Sequence, residues 1–271
     1  MSLSGRLALV TGGASGIGEA VCHTLAADGA TVVVADKQIE AAQKVAGALP
    51  DKIKHSQKHH DFGQLAHAGD AKHQAVYVDV GDSSSVEQLF ASVRSACALP
   101  LSIVVNCAGI LQASPLVDCT DEHFDEIIRV NLRGTFLVTR AAGREMCSAG
   151  KTLPEGGGAI VNVASILGKT GWPEGAAYTS SKGGVIALTK TVAQELASHG
   201  IRCNAVLPGL TDTPLSAPVP EEIKDQVRSV TPLKRTGKPH EIAEAIKFLC
   251  SPTASSYVTG AALEVAGGYF M

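Results

Sequence analysis

The sequence has few aromatic residues, no excess of basic charge and no long hydrophobic run. Only 4% of its 271 residues are aromatic, and 23 basic against 26 acidic side chains give a net charge of −3. Without a basic excess to replace phosphate counterions, nucleic-acid binding is not expected. The longest apolar runs, such as 31–35 and 103–105, are the length of strands and too short for a membrane span. The sequence therefore predicts a soluble protein with no nucleic-acid partner.

Paired cysteines of the CxxC type are also missing. The seven cysteines are scattered along the chain and odd in number, which is typical of reduced thiols inside a cell. The first residues contain one arginine, Arg6, and a strand-like segment begins at Leu7. We therefore expect no signal peptide and no transit peptide.

Short β-branched runs alternate with helical patterns along the whole chain. The composition, 45% hydrophobic and 18% charged, is that of a globular protein. Predicted strands cover 7–10, 31–35, 75–78, 103–105, 159–163, 202–207 and 262–265, and predicted helices cover 18–28, 39–49, 84–98, 121–146, 178–199 and 239–249. Apolar strands separated by helices are buried on both faces of a parallel sheet. The pattern predicts an α/β fold with a doubly wound parallel sheet of the Rossmann type, in one domain over residues 1–271.

Two segments interrupt this alternation. Residues 50–73 are polar and contain five of the nine histidines. A solvated surface insertion explains them, while a metal site using His59, His60 and Asp61 is the alternative that the residues leave open. Residues 210–235 are rich in proline and follow a strand end, where long segments often form a lid over a ligand. Apolar residues of this lid are candidates for a pocket lining or for packing of the lid itself: Leu210, Leu215, Val219, Ile223 and Val227.

A glycine-rich turn follows the first predicted strand. Residues 11–18 read Thr-Gly-Gly-Ala-Ser-Gly-Ile-Gly and lead into the first predicted helix. Gly12, Gly16 and Gly18 allow backbone N–H groups to approach a pyrophosphate at the helix N-terminus. Asp36 ends the second strand 18 residues after Gly18, where a carboxylate can bind ribose hydroxyls and repel a 2′-phosphate. The pattern predicts NAD rather than NADP, although Lys37 adjoins the aspartate.

Tyr178 and Lys182 lie at positions i and i+4 of a predicted helix and so share one face. A neighbouring ammonium lowers the pKa of a tyrosine, which favours a role in proton transfer. Ser165 follows the strand 159–163, at the sheet edge where ligands bind, and Asn131 lies in the preceding predicted helix. These residues are the candidate catalytic group. An ordinary surface pair is the alternative if Tyr178 and Lys182 are taken alone.

These motifs resemble the short-chain dehydrogenase/reductase family, and the resemblance runs essentially from end to end. It places the family's catalytic tetrad on Asn131, Ser165, Tyr178 and Lys182. It implies cofactor contacts at Gly12, Ser15, Gly16, Ile17, Gly18, Asp36, Asp79, Val80, Asn106, Ala108, Gly109, Tyr178, Lys182, Pro208, Gly209 and Thr213. One departure is Cys107, which stands where a second asparagine is usual.

The resemblance implies an enzyme, an NAD-dependent oxidoreductase that interconverts a secondary alcohol and a ketone without a metal. In family terms Tyr178 is the acid and base, and Ser165 orients the carbonyl. Lys182 lowers the pKa of the tyrosine and binds the nicotinamide ribose. Asn131 holds a water molecule that links Lys182 to solvent.

Residues 130–139, 200–209 and 264–271 resemble one branch of the family. That branch acts on (3R)-3-hydroxyacyl-CoA thioesters and on 17β-hydroxysteroids such as estradiol and testosterone. The resemblance implies fatty-acid synthesis or steroid metabolism, a homotetramer or a heterotetramer with a carbonyl reductase subunit, and the mitochondrial matrix, with the cytoplasm as the alternative. Bacterial relatives place an arginine near Gln194 to dock an acyl carrier protein, so the neutral Gln194 favours acyl-CoA or a partner subunit.

Two other functions remain as alternatives. A non-catalytic subunit could bind NAD for a structural or sensing purpose, but every residue of the tetrad is present. A metal-dependent dehydrogenase would need clustered ligands near the nicotinamide. The histidines instead gather in residues 50–73, far along the chain from Ser165.

Overall fold

The computed structural model describes residues 2–50, 73–148 and 152–270. Within these ranges the strands are β1 Leu7–Thr11, β2 Thr31–Asp36, β3 Gln74–Tyr77, β4 Leu101–Asn106, β5 Gly158–Val163, β6 Ile201–Pro208 and β7 Ala262–Val265. The helices are α1 Gly16–Ala27, α2 Ile39–Ala48, α3 Ser83–Ala96, α4 Asp121–Ile128, α5 Gly134–Met146, α6 Leu167–Thr170, α7 Ala176–Leu196, α8 Glu221–Val230 and α9 Pro239–Cys250.

The strands form one parallel sheet in the order β3-β2-β1-β4-β5-β6-β7. Alternate residues of β2 show why both faces are buried. Val32 and Val34 pack with α1, α2 and α9, while Val33 and Ala35 pack with α3 and α5 on the other side. Each fully buried valine or leucine contributes about 1.5–3 kcal/mol, so the two apolar layers hold the sheet between the helices. The predicted single-domain, doubly wound sheet is confirmed.

The carboxyl ends of the central strands meet at one edge of the sheet. Thr11 of β1 pairs with Asn106 of β4, and Asn106 pairs with Asn162 of β5. The strand order reverses between β1 and β4, because β1 has β2 on its other side and β4 has β5. Ligands of doubly wound sheets bind in the crevice at such a point.

The single helix predicted over 121–146 is wrong. A wide π turn, Arg129–Arg133, separates α4 from α5 and contains Asn131. The side chain of Asn131 bonds to Ile110, and Thr135 Oγ1 donates to the carbonyl oxygen of Asn131 at 2.7 Å. Such single-turn widenings often occur at functional sites because they redirect a side chain.

Two helices were not predicted. The short α6 follows Ser165, and α8 lies in the predicted lid, residues 210–235. In α8, Ile223 and Val227 are four residues apart and share one face, but the preceding prolines obscure this pattern in the sequence.

The predicted insertion lies almost wholly outside the described residues, and so do His59, His60 and Asp61. His73 is described, and both of its ring nitrogens have partners: Nδ1 accepts from Val32 N at 3.0 Å and Nε2 lies 3.0 Å from Pro50 O. Within the described part of the chain, no group of three or more His, Cys, Asp or Glu side chains could hold a metal ion. None of the described helices is both long and apolar enough to cross a membrane.

Candidate active site

A cavity of about 380 Å³ lies at the carboxyl edge of the sheet. Its floor is the glycine turn between β1 and α1. Gly12 has φ +64°, and a Cβ atom there would lie 2.7 Å from Ala108 Cα. A Cβ atom on Gly18 would lie 2.0 Å from the Gly12 carbonyl oxygen. Only glycine fits these two positions, and the backbone at the start of α1 is left open to a phosphate group.

Asp36 lies beside this turn at the end of β2. Its Oδ2 accepts a hydrogen bond from Ala14 N at 3.1 Å, and its Oδ1 accepts one from Gln38 N at 3.0 Å. The carboxylate is thereby held at the rim of the cavity, which it lines together with Lys37. The glycine turn and this carboxylate fit the diphosphate and adenosine ribose of a nicotinamide dinucleotide.

Arg129 is a cavity-lining residue that the sequence analysis missed. Its Nη1 donates to both carboxylate oxygens of Asp79 at 3.1 and 3.2 Å, and its Nε and Nη2 donate to Glu126 at 2.6 and 2.9 Å. A Cβ atom on Gly81 would lie 2.1 Å from Nη1, so the guanidinium lies directly against that glycine. Asp79, Glu126 and Arg129 line the cavity near Asp36 and Lys37, and we call this part of the cavity the adenosine end.

These contacts shift the acidities of both carboxyl groups. Burial acts to raise the pKa of Asp79, but the hydrogen bonds from Arg129 and from the Gly81 backbone N–H outweigh it and lower that pKa. The hydrogen bonds from Arg129 also lower the pKa of Glu126. The adenosine end therefore holds ionised carboxylates whose nearest arginine is already paired with two of them.

The other end of the cavity is formed by segments that follow β4, β5 and β6. All but two of the residues predicted for the site line the cavity: Gly12, Ser15, Gly16, Ile17, Gly18, Asp36, Asp79, Val80, Ala108, Gly109, Ser165, Tyr178, Lys182, Pro208, Gly209 and Thr213. The exceptions are Asn106 and Asn131.

Asn106 is buried within the sheet rather than exposed to the cavity. Its Nδ2 donates to Asn162 Oδ1 at 2.8 Å and to Thr139 Oγ1 at 3.1 Å. Asn162 in turn donates to Thr189 Oγ1 at 2.9 Å. This chain of amides and hydroxyls joins β4 and β5 to α5 and α7. The side chain of Asn106 therefore connects strands and helices, and the predicted contact between Asn106 and the cofactor stays a prediction.

Asn131 also lies behind the cavity wall and is fully buried. Its Oδ1 accepts from Ile110 N at 2.8 Å, and its Nδ2 donates to Ile110 O at 2.9 Å and to Ser181 Oγ at 3.1 Å. The amide is therefore occupied in holding the loop after β4 against α7. The side chain thus acts as a positioning group, and the role implied by the resemblance, holding a water molecule that links Lys182 to solvent, stays a prediction.

Ser165, Tyr178 and Lys182 come together at the cavity wall. The Ser165 hydroxyl hydrogen-bonds the phenol of Tyr178 and also accepts from Leu167 N at 3.2 Å. Lys182 Nζ donates to Val163 O at 2.8 Å and lies 5.7 Å from the centre of the Tyr178 ring. All three side chains are buried, at 5–8% exposure. The spacing predicted from the sequence thus places a hydroxyl, a phenol and an ammonium at one point.

Burial dominates the acidities of this group. It raises the pKa of Tyr178, although the hydrogen bond from Ser165 acts to lower it. It also lowers the pKa of Lys182 to about 8. The prediction that the lysine brings the pKa of the tyrosine below its ordinary value is wrong for the protein as folded. The ammonium lies over the ring and donates its hydrogen bond to Val163, while the phenolate would lose its hydration.

Cys107, which stands where the family usually has a second asparagine, places a thiol near Lys182. Burial raises the pKa of this thiol to about 12, against the opposing effect of Lys182. The thiol is therefore neutral near pH 7 and adds no charge beside Lys182.

The lid covers the catalytic end of the cavity with apolar side chains. The predicted candidates Leu210, Leu215, Val219, Ile223 and Val227 all line it. Further apolar lining residues, which the sequence analysis missed, are Ile110, Leu111, Ile166, Leu167, Trp172 and Tyr269. They come from loops after three different strands, so no local pattern in the sequence unites them.

Comparison with known proteins agrees with this geometry. Residues 12–270 match the family described as enoyl-(acyl carrier protein) reductase. The chain is 42% identical to (3R)-3-hydroxyacyl-CoA dehydrogenase of Mus musculus, over 100% of this chain and 98% of that protein. It is 36% identical to a 3-oxoacyl-[acyl-carrier-protein] reductase of Thermotoga maritima, over 99% of each.

Solved structures give the same result. A short-chain type dehydrogenase/reductase from Mycobacterium marinum superposes with a TM-score of 0.84 at 31% identity, covering 99% of this chain and 97% of that one. With the glycine turn, the strand order and the Ser165–Tyr178–Lys182 group in place, the chain belongs to the short-chain dehydrogenase/reductase family of nicotinamide-dependent oxidoreductases.

Proposed function

We propose that this protein is an NAD-dependent dehydrogenase that interconverts (3R)-3-hydroxyacyl-CoA and 3-oxoacyl-CoA thioesters. The observation that carries the proposal is the chemistry of the catalytic end of the cavity, which is covered by apolar lid side chains and has no charged side chain other than Lys182. The relatives described above as a (3R)-3-hydroxyacyl-CoA dehydrogenase and a 3-oxoacyl reductase support the same substrate class.

The distribution of charge along the cavity favours an uncharged substrate. Among the described lining residues the charged ones are Asp36, Lys37, Asp79, Glu126, Arg129 and Lys182, and all but Lys182 lie at the adenosine end. Burying a carboxylate or phosphate among the lid side chains without a partner would cost several kcal/mol. A 3-hydroxyacyl thioester is neutral at its reacting end, and the charged part of coenzyme A can remain in water.

The adenosine end favours NAD over NADP. Asp36, Asp79 and Glu126 place three carboxyl groups there against Lys37 and Arg129. Arg129 is already bonded to Asp79 and Glu126, so it is not available to a 2′-phosphate. A dianionic phosphate near Asp36 would be repelled.

The residues at the catalytic end have complementary tasks in alcohol oxidation. The phenolate of Tyr178 takes the proton from the substrate hydroxyl, and the Ser165 hydroxyl orients the carbonyl oxygen as it forms. Lys182, whose pKa of about 8 keeps most of it protonated at neutral pH, supplies positive charge beside the phenolate. The nicotinamide ring, when bound, accepts the hydrogen and two electrons that leave the substrate carbon. Reduction runs through the same groups in reverse.

Coenzyme A is favoured over an acyl carrier protein as the thioester carrier. Gln194 is exposed on α7 and neutral. Of the arginines on α5 and on the turn before it, Arg140 lies 5.0 Å from the centre of the Phe136 ring, and Arg129 is paired inside the cavity. With glutamine at position 194, this surface lacks the arginine that would attract a strongly acidic carrier protein.

A 17β-hydroxysteroid is the second candidate substrate, because it also presents a secondary alcohol on an apolar body. The apolar lid accommodates that chemistry as well as an acyl chain. A non-catalytic NAD-binding role is disfavoured, because Ser165, Tyr178 and Lys182 are all present and in contact with the cavity.

The test is a comparison of initial rates on (3R)-3-hydroxybutanoyl-CoA, its (3S) isomer, estradiol and a hydroxycarboxylic acid of similar size, each with NAD and with NADP. We expect the highest kcat/KM on the (3R) thioester with NAD and the lowest on the free acid. Preferred turnover of estradiol would favour the second candidate, a 17β-hydroxysteroid, with Ser165, Tyr178 and Lys182 in the same roles. Preferred turnover of the free acid, or of NADP, would contradict the proposal.

We further propose that the enzyme acts as a tetramer, homomeric or with a carbonyl reductase subunit, in the mitochondrial matrix. Exposed aromatic side chains support the assembly: Phe136 on α5 is 41% exposed and Phe270 after β7 is 51% exposed. Light scattering should give a mass about four times 27.9 kDa for a homotetramer. A mass of one subunit at micromolar concentration would contradict it, and imaging of the tagged protein in cells tests the compartment.

A further inference from the structure

Trp172 is the one tryptophan of the sequence, and it lies in the loop between α6 and α7. This loop joins Ser165 to Tyr178, and Trp172 lines the cavity with both of them. Ile223 and Val227 of α8 line the same cavity from the lid. Trp172, Ile223 and Val227 thus offer apolar surface to an acyl chain whose carbinol is held at Tyr178.

The indole is fixed in place by the backbone beneath it. A Cβ atom on Gly175 would lie 2.6 Å from Trp172 Cε3, so the ring rests directly on that glycine. Gly175 N also donates to Trp172 O at 3.0 Å, which closes a tight turn. Glu174 has φ +62°, and its carbonyl oxygen accepts from Ser114 N at 2.8 Å. The hydrogen bond connects the loop to the segment after β4. Glu174 is held in the left-handed backbone region, which is strained for a residue with a side chain.

We propose that Trp172 sets the length of the acyl chain that the enzyme accepts. The inference rests on the proposed thioester activity. Because an apolar tail stays among apolar side chains while coenzyme A must reach water, the tail is the part that meets the indole. Because the ring rests on Gly175, it cannot move back toward that glycine, so it contacts short chains and obstructs long ones.

Since the indole obstructs long acyl chains, replacing it should shift the preference of the enzyme toward longer acyl chains. Trp172→Ala is expected to raise the ratio of kcat/KM for (3R)-3-hydroxydecanoyl-CoA to kcat/KM for (3R)-3-hydroxybutanoyl-CoA by about tenfold or more, since a few methylene groups in an apolar pocket are worth factors of this size. Trp172→Phe, with a smaller ring, should lie between. Tyr257→Ala, at a fully exposed residue outside the cavity, is the control and should leave the ratio unchanged.

Gly175 provides a second test that does not depend on removing the ring. Gly175→Ala forces the indole to move, so it should change the ratio in the wild-type background. In the Trp172→Ala background Cε3 is gone and the nearest remaining atom is Trp172 O at 3.2 Å, so the same substitution should have much less effect on the ratio. Additive effects of the two substitutions would contradict a direct contact.

The emission of Trp172 reports whether the chain lies beside it. Titration with acetoacetyl-CoA in the presence of NAD forms a complex that cannot react, because the substrate is already oxidised. We expect the emission to shift or quench in the wild type. Turnover of the short thioester by the wild type, with unchanged emission and an unchanged ratio in Trp172→Ala, overturns this inference alone. A wild type that oxidises neither thioester overturns the proposed function and the inference with it.

Discussion

The Lys182 ammonium lies 5.7 Å from the centre of the Tyr178 ring and donates a 2.8 Å hydrogen bond to the Val163 carbonyl oxygen. The lysine is thereby anchored to the end of β5, while the tyrosine, one helical turn earlier on α7, contacts Ser165 from the same strand end. The end of β5 and helix α7 therefore hold Ser165, Tyr178 and Lys182 in fixed positions relative to one another. The burial that results raises the pKa of Tyr178 and lowers the pKa of Lys182 to about 8.

Ser165→Ala should shift the pH dependence of alcohol oxidation to higher pH. The hydrogen bond from Ser165 acts to lower the pKa of Tyr178 and so favours the phenolate that accepts the proton. Without it, more alkaline conditions are needed to form the same phenolate fraction, and kcat should fall about 10²-fold near pH 7. The measurement is kcat/KM against pH for oxidation, with the exposed Ser180→Ala on α7 as control. An alkaline limb that stays in place would show that Ser165 does not act on the tyrosine.

Lys182→Met should stabilise the protein while removing activity. A buried lysine with a pKa of about 8 binds its proton less well in the folded than in the unfolded chain, where the pKa is 10.5. The resulting penalty is fully present below pH 8 and disappears as the pH rises from about 8 to 10.5, because the unfolded chain binds more protons in that window. After subtracting the lost hydrogen bond to Val163, we expect a gain of about 1–3 kcal/mol in the free energy of unfolding at pH 7.

The stabilisation is measured by denaturant unfolding at pH 7 and pH 10, with the exposed Lys190→Met on the same helix as control. The advantage of the Lys182→Met variant should shrink at pH 10. A variant less stable than the wild type at pH 7 would mean that the ammonium is better solvated than its burial indicates.

Asp36→Ala should weaken the discrimination between the two nicotinamide cofactors. The carboxylate is held by Ala14 N and Gln38 N at the cavity rim, where it repels a 2′-phosphate. We expect kcat/KM with NAD to fall and the NADP-to-NAD ratio of kcat/KM to rise about tenfold or more. The control is Glu40→Ala, an exposed acidic residue of α2 that makes the same change in net charge outside the cavity. An unchanged ratio would assign the selectivity to Asp79, Glu126 and Arg129 instead.

Most of the fold was predictable because its signals are local. The β-branched run of 31–35 and the glycines of 12–18 have strong conformational preferences within a few residues. Tyr178 and Lys182 could be paired because helical spacing alone places them on one face. The strand ends then brought Ser165 to the same point through the general geometry of parallel sheets.

The remaining features depend on contacts between distant parts of the chain. The π turn at Asn131 exists through hydrogen bonds to Ile110, 21 residues away, and to Ser181, 50 residues away. In the sequence, Arg129 looks like an ordinary exposed arginine of a helix. Its partner Asp79 lies 50 residues earlier and is brought beside it only by the fold. The sequence predicted a lowered pKa for Tyr178, whereas the structure gives a raised one. Burial causes this difference, and burial cannot be read from the spacing of Tyr178 and Lys182.

The most direct test of the proposed chemistry is the rate of NADH formation from (3R)-3-hydroxybutanoyl-CoA by the wild type, Tyr178→Phe and Tyr257→Phe. The phenylalanine at 178 keeps the buried ring and removes only the group that accepts the proton, whereas Tyr257 is fully exposed and outside the cavity. We predict that Tyr178→Phe lowers kcat about 10²–10⁴-fold with NAD binding retained, and that Tyr257→Phe matches the wild type. A Tyr178→Phe enzyme with wild-type kcat would contradict the assignment of Tyr178 as the acid and base.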